Sequence, residues 1–422
     1  MMSELAKRDL AVVWHPYTQM KTAALPIPIV KGEGVYLFTE DGKKFIDAVS
    51  SWWVNIHGHS HPYIAEKVFE QLKQLEHVIF AGFTHPQAVT LAENLLSIIP
   101  KNQAKIFYSD NGSTAVEVAL KMCLQFWANK EEKRTKILAF KNAYHGDTFG
   151  AMAVSGRSAF TAPFDSLLFD VEFIDLPNKE NLEVLKSKIS SLKSDLACFI
   201  FEPLVQGASG MLMYEASDLD ELLLHCRQEN ILTIADEVMT GFGRTGKLFA
   251  SDYLKNKADL MCFSKGLTGG TMPLGITTCK QEIYDAFLSD DKLKTLFHGH
   301  SFTANPVACA AANASFDILM KPETLANIHR IEARHKVFKA QIENNPKLKD
   351  VRQTGTIIAL EWDIEGTSYF NNIRDTLYNF FLEKGIILRP LGNILYIMPP
   401  YVISDDDLDY IYQNISLALK TL

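Results

Sequence analysis

The chain has 422 residues, 47% of them hydrophobic and 22% charged, with a formal net charge of −8 at neutral pH. That length supports two or three domains with a large core, and the acidic balance argues against nucleic acid or an anionic membrane as partner. The opening MMSELAKRDL carries charges where a secretory leader needs an apolar core, and no apolar run approaches a membrane span. Cys123, Cys198, Cys226, Cys262, Cys279 and Cys309 are scattered without a CxxC pair, as expected of reduced thiols in a cytoplasmic protein.

Residues 1–62 read as an irregular N-terminal segment. Within it GVYLFTEDGKKFIDA is expected to form a hairpin turning at Glu-Asp-Gly. Trp14, Tyr17, Trp52 and Trp53 concentrate aromatic surface here, and for any single one core packing is the ordinary explanation. His57, His59 and His61 would share a face on a strand, an arrangement able to bind a metal. Gly58 and Pro62 instead make the segment a turn, and no cysteine or carboxylate stands beside it, so no metal site is expected.

Residues 63–315 alternate helix and strand, the pattern of a mainly parallel sheet covered on both faces. A strand at 105–108 leads through Ser-Asp-Asn-Gly-Ser to a helix from about 114 to 127. Gly112 and Ser113 thus stand at a helix N-terminus, where free N–H groups attract an anion, unless Ser113 is a plain N-cap. Further strands at 137–140, 196–201, 231–235 and 260–263 end at Tyr144-His145-Gly146-Asp147, Glu202, Asp236-Glu237 and Ser264-Lys265. Ligands of open α/β sheets bind beyond the carboxyl ends of the strands, so these polar ends point at one site. Arg244, in Gly-Phe-Gly-Arg-Thr-Gly, is expected to brace backbone carbonyls. Residues 316–422 read as a smaller α/β domain, with a helix near 321–344, strands near 356–362 and 385–388, and a last helix after Ser404. Arg389 follows the second of these strands, and its planar fork suits a carboxylate.

An acid and a lysine at neighbouring strand ends match pyridoxal phosphate chemistry. The lysine amine forms a Schiff base with the cofactor aldehyde, and the carboxylate keeps the pyridine nitrogen protonated. DEVMTGFGRTG followed by FSKG resembles the class III (omega) aminotransferases, a fold-type I family that uses pyridoxal 5′-phosphate. WHPYTQM, SSWWVNIHGHSHP, SDNGSTAVEVALK, NAYHGDTFGAMAVSG, FEPLVQGASGM, HGHSFTANPVACAAA and ILRPLGNILYIMPP extend the resemblance, in order, over nearly the whole chain. WHPYT and SSWW are similar to the branch that aminates 8-amino-7-oxononanoate to 7,8-diaminononanoate in biotin biosynthesis. Ala208 stands where ornithine-type members carry glutamate, which takes weight from ornithine, acetylornithine and GABA as substrates.

The resemblance implies an α/β fold with a mainly parallel seven-stranded sheet and a smaller α/β domain. It implies that Lys265 holds the cofactor and moves the proton, that Asp236 faces the pyridine nitrogen, and that Gly112 and Ser113 take the phosphate. Tyr144 would stack on the pyridine ring with its hydroxyl toward substrate. Tyr17, also implicated in catalysis, and Trp52 would wall the substrate pocket, with Trp53 structural, and Arg389 would take the keto substrate's carboxylate. Gly299, His300 and Ser301 would come from the partner subunit of a homodimer, His300 and Ser301 to the cofactor and Gly299 to the substrate. His300-Ser301 replaces the branch's Pro-Thr, which leaves S-adenosylmethionine and lysine both open as amino donor. Two substrates sharing one pocket implies ping-pong kinetics. Another omega-amino acid or diamine transaminase of the same class is the alternative, followed by an aminomutase on the same scaffold.

Overall fold

The computed structural model describes residues 3–364 and 372–422. After a helix at Glu4–Val12 come three antiparallel strands, β1 (Ile29–Glu33), β2 (Tyr36–Thr39) and β3 (Lys44–Asp47). The turn between β2 and β3 falls at Glu40–Gly42, as expected, with Gly42 at φ 80°.

The next strands of the main sheet are β4 (Lys105–Ser109), β5 (Lys136–Phe140), β6 (Val171–Ile174) and β7 (Leu196–Phe201). A small ribbon, β8 (Val205–Gln206) with β9 (Leu212–Met213), separates them from β10 (Leu232–Asp236), β11 (Leu260–Phe263) and β12 (Gly275–Cys279). The seven long members lie in the order β4-β12-β11-β10-β7-β5-β6. Only β12 runs against its neighbours, so the mainly parallel seven-stranded sheet expected from the sequence is present. Burial on both faces explains the unbroken apolar runs LACFIF and LMCF, since neither face meets water. Phe199 and Phe201 enter the core on one face, and Cys198 and Ile200 enter the core on the other. Each fully buried phenylalanine contributes about 2–3 kcal/mol.

The helix after β4 spans Gly112–Asn129, two residues earlier than the spacing suggested. Its cap is Asn111, whose side chain accepts from the Thr114 N–H while Thr114 returns a bond to the Asn111 N–H. Ser113 is therefore a first-turn residue rather than the N-cap. The N–H groups of Gly112 and Ser113 have no carbonyl within their own helix to bond.

The C-terminal part contains β13 (Leu348–Thr354), β14 (Ile357–Trp362), β15 (Ile386–Ile387) and β16 (Ile394–Ile397), with long helices at Pro322–Ile342 and Asp405–Thr421. Phe338 and Tyr412 stack between these helices with centroids 4.2 Å apart. Strands β13, β14 and β16 form an antiparallel sheet, whereas β15 pairs in parallel with β3 and completes the N-terminal sheet. The free edge of β3 thus draws Arg389 toward the SSWW segment that follows β3. No helix among the described residues is long and apolar enough to cross a membrane.

Candidate active site

Five of the expected residues, Gly112, Ser113, Tyr144, Asp236 and Lys265, line one open cleft of 610 Å³. The sheet places them there. Asp236 ends β10 in register with Cys262 of the neighbouring β11, which Ser264 and Lys265 follow. Glu202 follows β7, the Tyr144–Asp147 loop lies after β5, and Gly112 opens the helix after β4.

Asp236 is held by two bonds: Oδ1 accepts from the Val238 N–H at 3.0 Å and Oδ2 lies 2.7 Å from His145 Nδ1. The other ring nitrogen of His145 is buried with no bonding partner among the described residues. Burial brings the Lys265 amine down to about 8, although Asp236 and Glu202 both favour its charged form. Lys265 stands at φ 46°, a left-handed conformation that costs a non-glycine residue about 1–3 kcal/mol. Its Nζ lies 4.6 Å from the centre of the Trp53 ring. Burial pushes Glu202 up to about 7, against its attraction to His145 and the N–H groups of Tyr144 and Gly207, which it accepts at 2.9 and 3.0 Å. The site therefore eases loss of the proton from its lysine.

Ser113 Oγ accepts from the Asp147 N–H at 3.2 Å. A Cβ on Gly146 would come within 2.0 Å of that oxygen, and Gly146 sits at φ 133°, so only glycine lets the loop close over the helix start. The donor set fits pyridoxal 5′-phosphate on its own chemistry. It offers a low-pKa amine for an aldehyde, a fixed carboxylate for a pyridinium, and N–H groups at a helix start for a phosphate.

The rim is built differently. Tyr17 donates to Asp147 Oδ2 at 2.6 Å, lies 3.4 Å from the Tyr144 hydroxyl, and packs edge-on against Trp52 and Phe160 at 5.5 and 5.7 Å. The Arg389 guanidinium lies 4.0 Å over the Trp52 ring. Tyr17 thus links Trp52 and its Arg389 to Tyr144, whose hydroxyl is raised far above its ordinary range by burial and by Tyr17. Tyr17, Trp52 and Arg389 are not themselves among the residues that line the cleft. Gly299, His300 and Ser301 do not line this cleft. Gly299 and Ser301 are exposed, and His300 sits 3.1 Å from His298 and 3.6 Å from Asp110.

Four cleft residues went unassigned or were assigned otherwise from the sequence. Trp53, expected to be structural only, lines the cleft under Lys265 while its indole N–H donates to Tyr396 at 2.9 Å. Glu202, His145 and Asp147 line it as well. Their signal was present, since each follows a strand end already implicated. Arg244 is fully buried and donates to the carbonyls of Pro399, Trp53 and Asn55, the bracing role expected of it. The three alternating histidines separate: His57 is buried against Ser315, His59 bonds Asp47, and the His61 ring stands 6.3 Å from that of His57.

Residues 17–419 match the family model described as aminotransferase class-III. The chain is 45% identical to adenosylmethionine-8-amino-7-oxononanoate aminotransferase of Synechococcus elongatus, over 97% of this chain and 99% of that one. The solved structure of adenosylmethionine-8-amino-7-oxononanoate aminotransferase from Methanocaldococcus jannaschii is 36% identical, with a TM-score of 0.94 over 99% of this chain and 98% of that one. An amine transaminase from an uncultivated Pseudomonas species, solved with PLP bound, is 29% identical with a TM-score of 0.90, covering 97% of this chain and 98% of that one. The chain belongs to the class-III aminotransferases. It is an aminotransferase that depends on pyridoxal 5′-phosphate.

Proposed function

We propose that this enzyme aminates the ketone of 8-amino-7-oxononanoate to give 7,8-diaminononanoate, a step of biotin biosynthesis, with S-adenosylmethionine as amino donor. The observation that carries the acceptor is the rim. The Arg389 guanidinium lies 4.0 Å from the centre of the Trp52 ring, so an aromatic wall ends in a fork that suits the carboxylate of a medium-chain keto acid. The 45% identity over nearly the full chain to a relative named for this reaction supports the same reading.

Bound pyridoxal 5′-phosphate supplies the electron sink for the carbanion formed at the amine-bearing carbon. The Gly112 and Ser113 N–H groups and the Ser113 hydroxyl hold its phosphate, and Tyr144 covers its ring. Asp236, oriented by His145 and the Val238 N–H, keeps the pyridine nitrogen protonated. Lys265 would hold the cofactor through Nζ. Once free, that nitrogen, with its affinity for protons lowered by burial, would take a proton from the donor carbon and return one in the amination half-reaction. Tyr17 and Trp52 wall the substrate chain and exclude water, and Arg389 receives its carboxylate. One cleft serves donor and acceptor in turn, giving ping-pong kinetics.

The enzyme acts as a homodimer in this reading. Gly299, His300 and Ser301 reach the partner's cofactor and substrate, and the exposed Leu293, Phe297 and Phe302 beside them supply apolar surface for the interface. Six buried free thiols suit the cytoplasm.

The test is a pair of half-reactions. Enzyme loaded with pyridoxal 5′-phosphate receives S-adenosylmethionine or lysine separately, and the cofactor absorbance is followed. Discharge by S-adenosylmethionine, then recovery on adding 8-amino-7-oxononanoate, is the expected result. Discharge by lysine alone reassigns the donor and keeps the acceptor. Faster turnover of putrescine, ornithine or β-alanine than of the oxononanoate sinks the proposal.

A further inference from the structure

Between β3 and the His57–His61 turn the backbone does something unusual. Ser50, Ser51 and Trp53 stand at φ 52°, 58° and 66°, and Ser51 combines its φ with a ψ of −91°. None of the three is glycine. Ser51 lies near the rare, strained γ-turn geometry, and such conformations persist only where the surroundings over-determine them. The two aromatic rings of this contorted segment meet different residues: Trp52 carries Arg389 outside the cleft lining, and Trp53 lies under Lys265 within it.

The surroundings that hold it are specific. Asp47, the last residue of β3, is completely buried. Its Oδ1 accepts from the N–H groups of Val49 at 3.2 Å and Ser51 at 2.9 Å. Its Oδ2 accepts from the Ser51 N–H at 2.7 Å, the Ser51 hydroxyl at 3.1 Å and His59 Nε2 at 2.9 Å. On the far side of the His59 ring the Asn55 amide nitrogen lies 3.3 Å from Nδ1. An amide donating to Nδ1 leaves the proton on Nε2, which then donates to Asp47. The His59 backbone is itself anchored to Gly34 by reciprocal bonds of 2.6 and 3.2 Å. On the carbonyl side of the same segment, Arg244 donates to the Trp53 and Asn55 oxygens. A buried carboxylate thus grips the donors of the segment, and a buried guanidinium grips its acceptors.

We propose that Asp47 and His59 are positioning residues for substrate selection: by clamping Ser51 they set the angle at which Trp52 carries Arg389, and thereby fix the length and orientation of acceptor the rim accepts. Neither residue touches the cleft. They act through Trp52, so the inference rests on the reading of Trp52 and Arg389 as the acceptor wall.

The experiment is a double-mutant cycle on holoenzyme, using Asp47→Asn and Trp52→Ala singly and together, with 8-amino-7-oxononanoate as acceptor. Asp47→Asn replaces one acceptor oxygen by an NH2 group that cannot receive the Ser51 hydroxyl or His59 Nε2, and leaves the other oxygen to the Ser51 N–H. The expected result is a rise of about tenfold in acceptor KM with kcat nearly unchanged, and little further rise when Trp52 is already alanine. The same proportional change in both backgrounds, or a loss confined to kcat, overturns the proposal. If Asp47→Asn does not yield folded holoenzyme, the cycle is read on His59→Phe, which removes one donor and leaves the backbone bonds to Asp47, and additivity there overturns it equally. A Trp52→Ala enzyme with unaltered acceptor KM would instead sink the acceptor-wall reading, which keeps the two failures apart.

Discussion

The cleft and the aromatic rim beside it are made by opposite strategies. At the sheet end, Asp236 is 4% exposed, and Lys265 and Glu202 are desolvated enough to shift toward neutrality. At the rim, Tyr17 is 44% exposed and Trp52 38%, and both belong to the irregular segments that flank the N-terminal hairpin. Low dielectric on one side sharpens proton affinities and costs stability. The exposed aromatic rings on the other side let shape decide what enters. On the proposed reading, chemistry and choice of substrate fall to different parts of the chain.

That separation can be broken most severely at Lys265. Lys265→Ala is expected to lower single-turnover transamination by at least ~10³-fold, with KM contributing little. Asp236→Asn is expected to cost about 10²–10³-fold in the rate of the same half-reaction, because an amide cannot stabilise the pyridinium charge. Appreciable turnover by either variant would move the chemistry off the sheet ends.

The rim should respond in the other parameter. Arg389→Ala is expected to raise the KM for the keto acid about 10- to 100-fold with kcat largely kept, and Arg389→Lys to recover only part of it. A fall in kcat alone would mean that cleft and rim are not separable.

The smallest effect is one of pH. The folded state lowers the Lys265 amine from 10.5 to about 8. A depressed lysine contributes stability that is complete above 10.5 and is lost as pH falls through about 8. Cofactor-free enzyme should therefore grow more resistant to urea between those values, and Lys265→Met should remove that increment. Uptake of pyridoxal 5′-phosphate, which needs the neutral amine, should slow about tenfold per unit below pH 8 and level off above it.

What the sequence made legible follows the same division. Strand ends are readable because an apolar run stopping at Asp236 or at Ser264-Lys265 breaks a core pattern, and period and length locate it within a residue or two. The hairpin turn at Glu40–Gly42 and the helix near Gly112 announced themselves similarly, although the capping role went to Asn111 because its side chain reaches Thr114. Depth was not legible. Nothing in FEPLVQG says that Glu202 is buried beside Lys265, nor does NAYHGD show His145 bonded to Asp236, because both depend on strands far apart in sequence. Trp53 was undervalued for a related reason: three positive φ angles within four residues cannot be read from Ser-Ser-Trp-Trp.

The pairing of β15 with β3 also sets an order of events during synthesis. The N-terminal hairpin leaves the ribosome about 340 residues before its fourth strand does, an interval of roughly 20–70 s at ordinary elongation rates. In that time the seven-stranded sheet, complete by Cys279, has all of its strands available, while the edge of β3 waits. Arg389 joins Trp52 only once the last tenth of the chain is being made. On the proposed reading, the growing polypeptide therefore owns its cofactor pocket before it owns its taste in substrates.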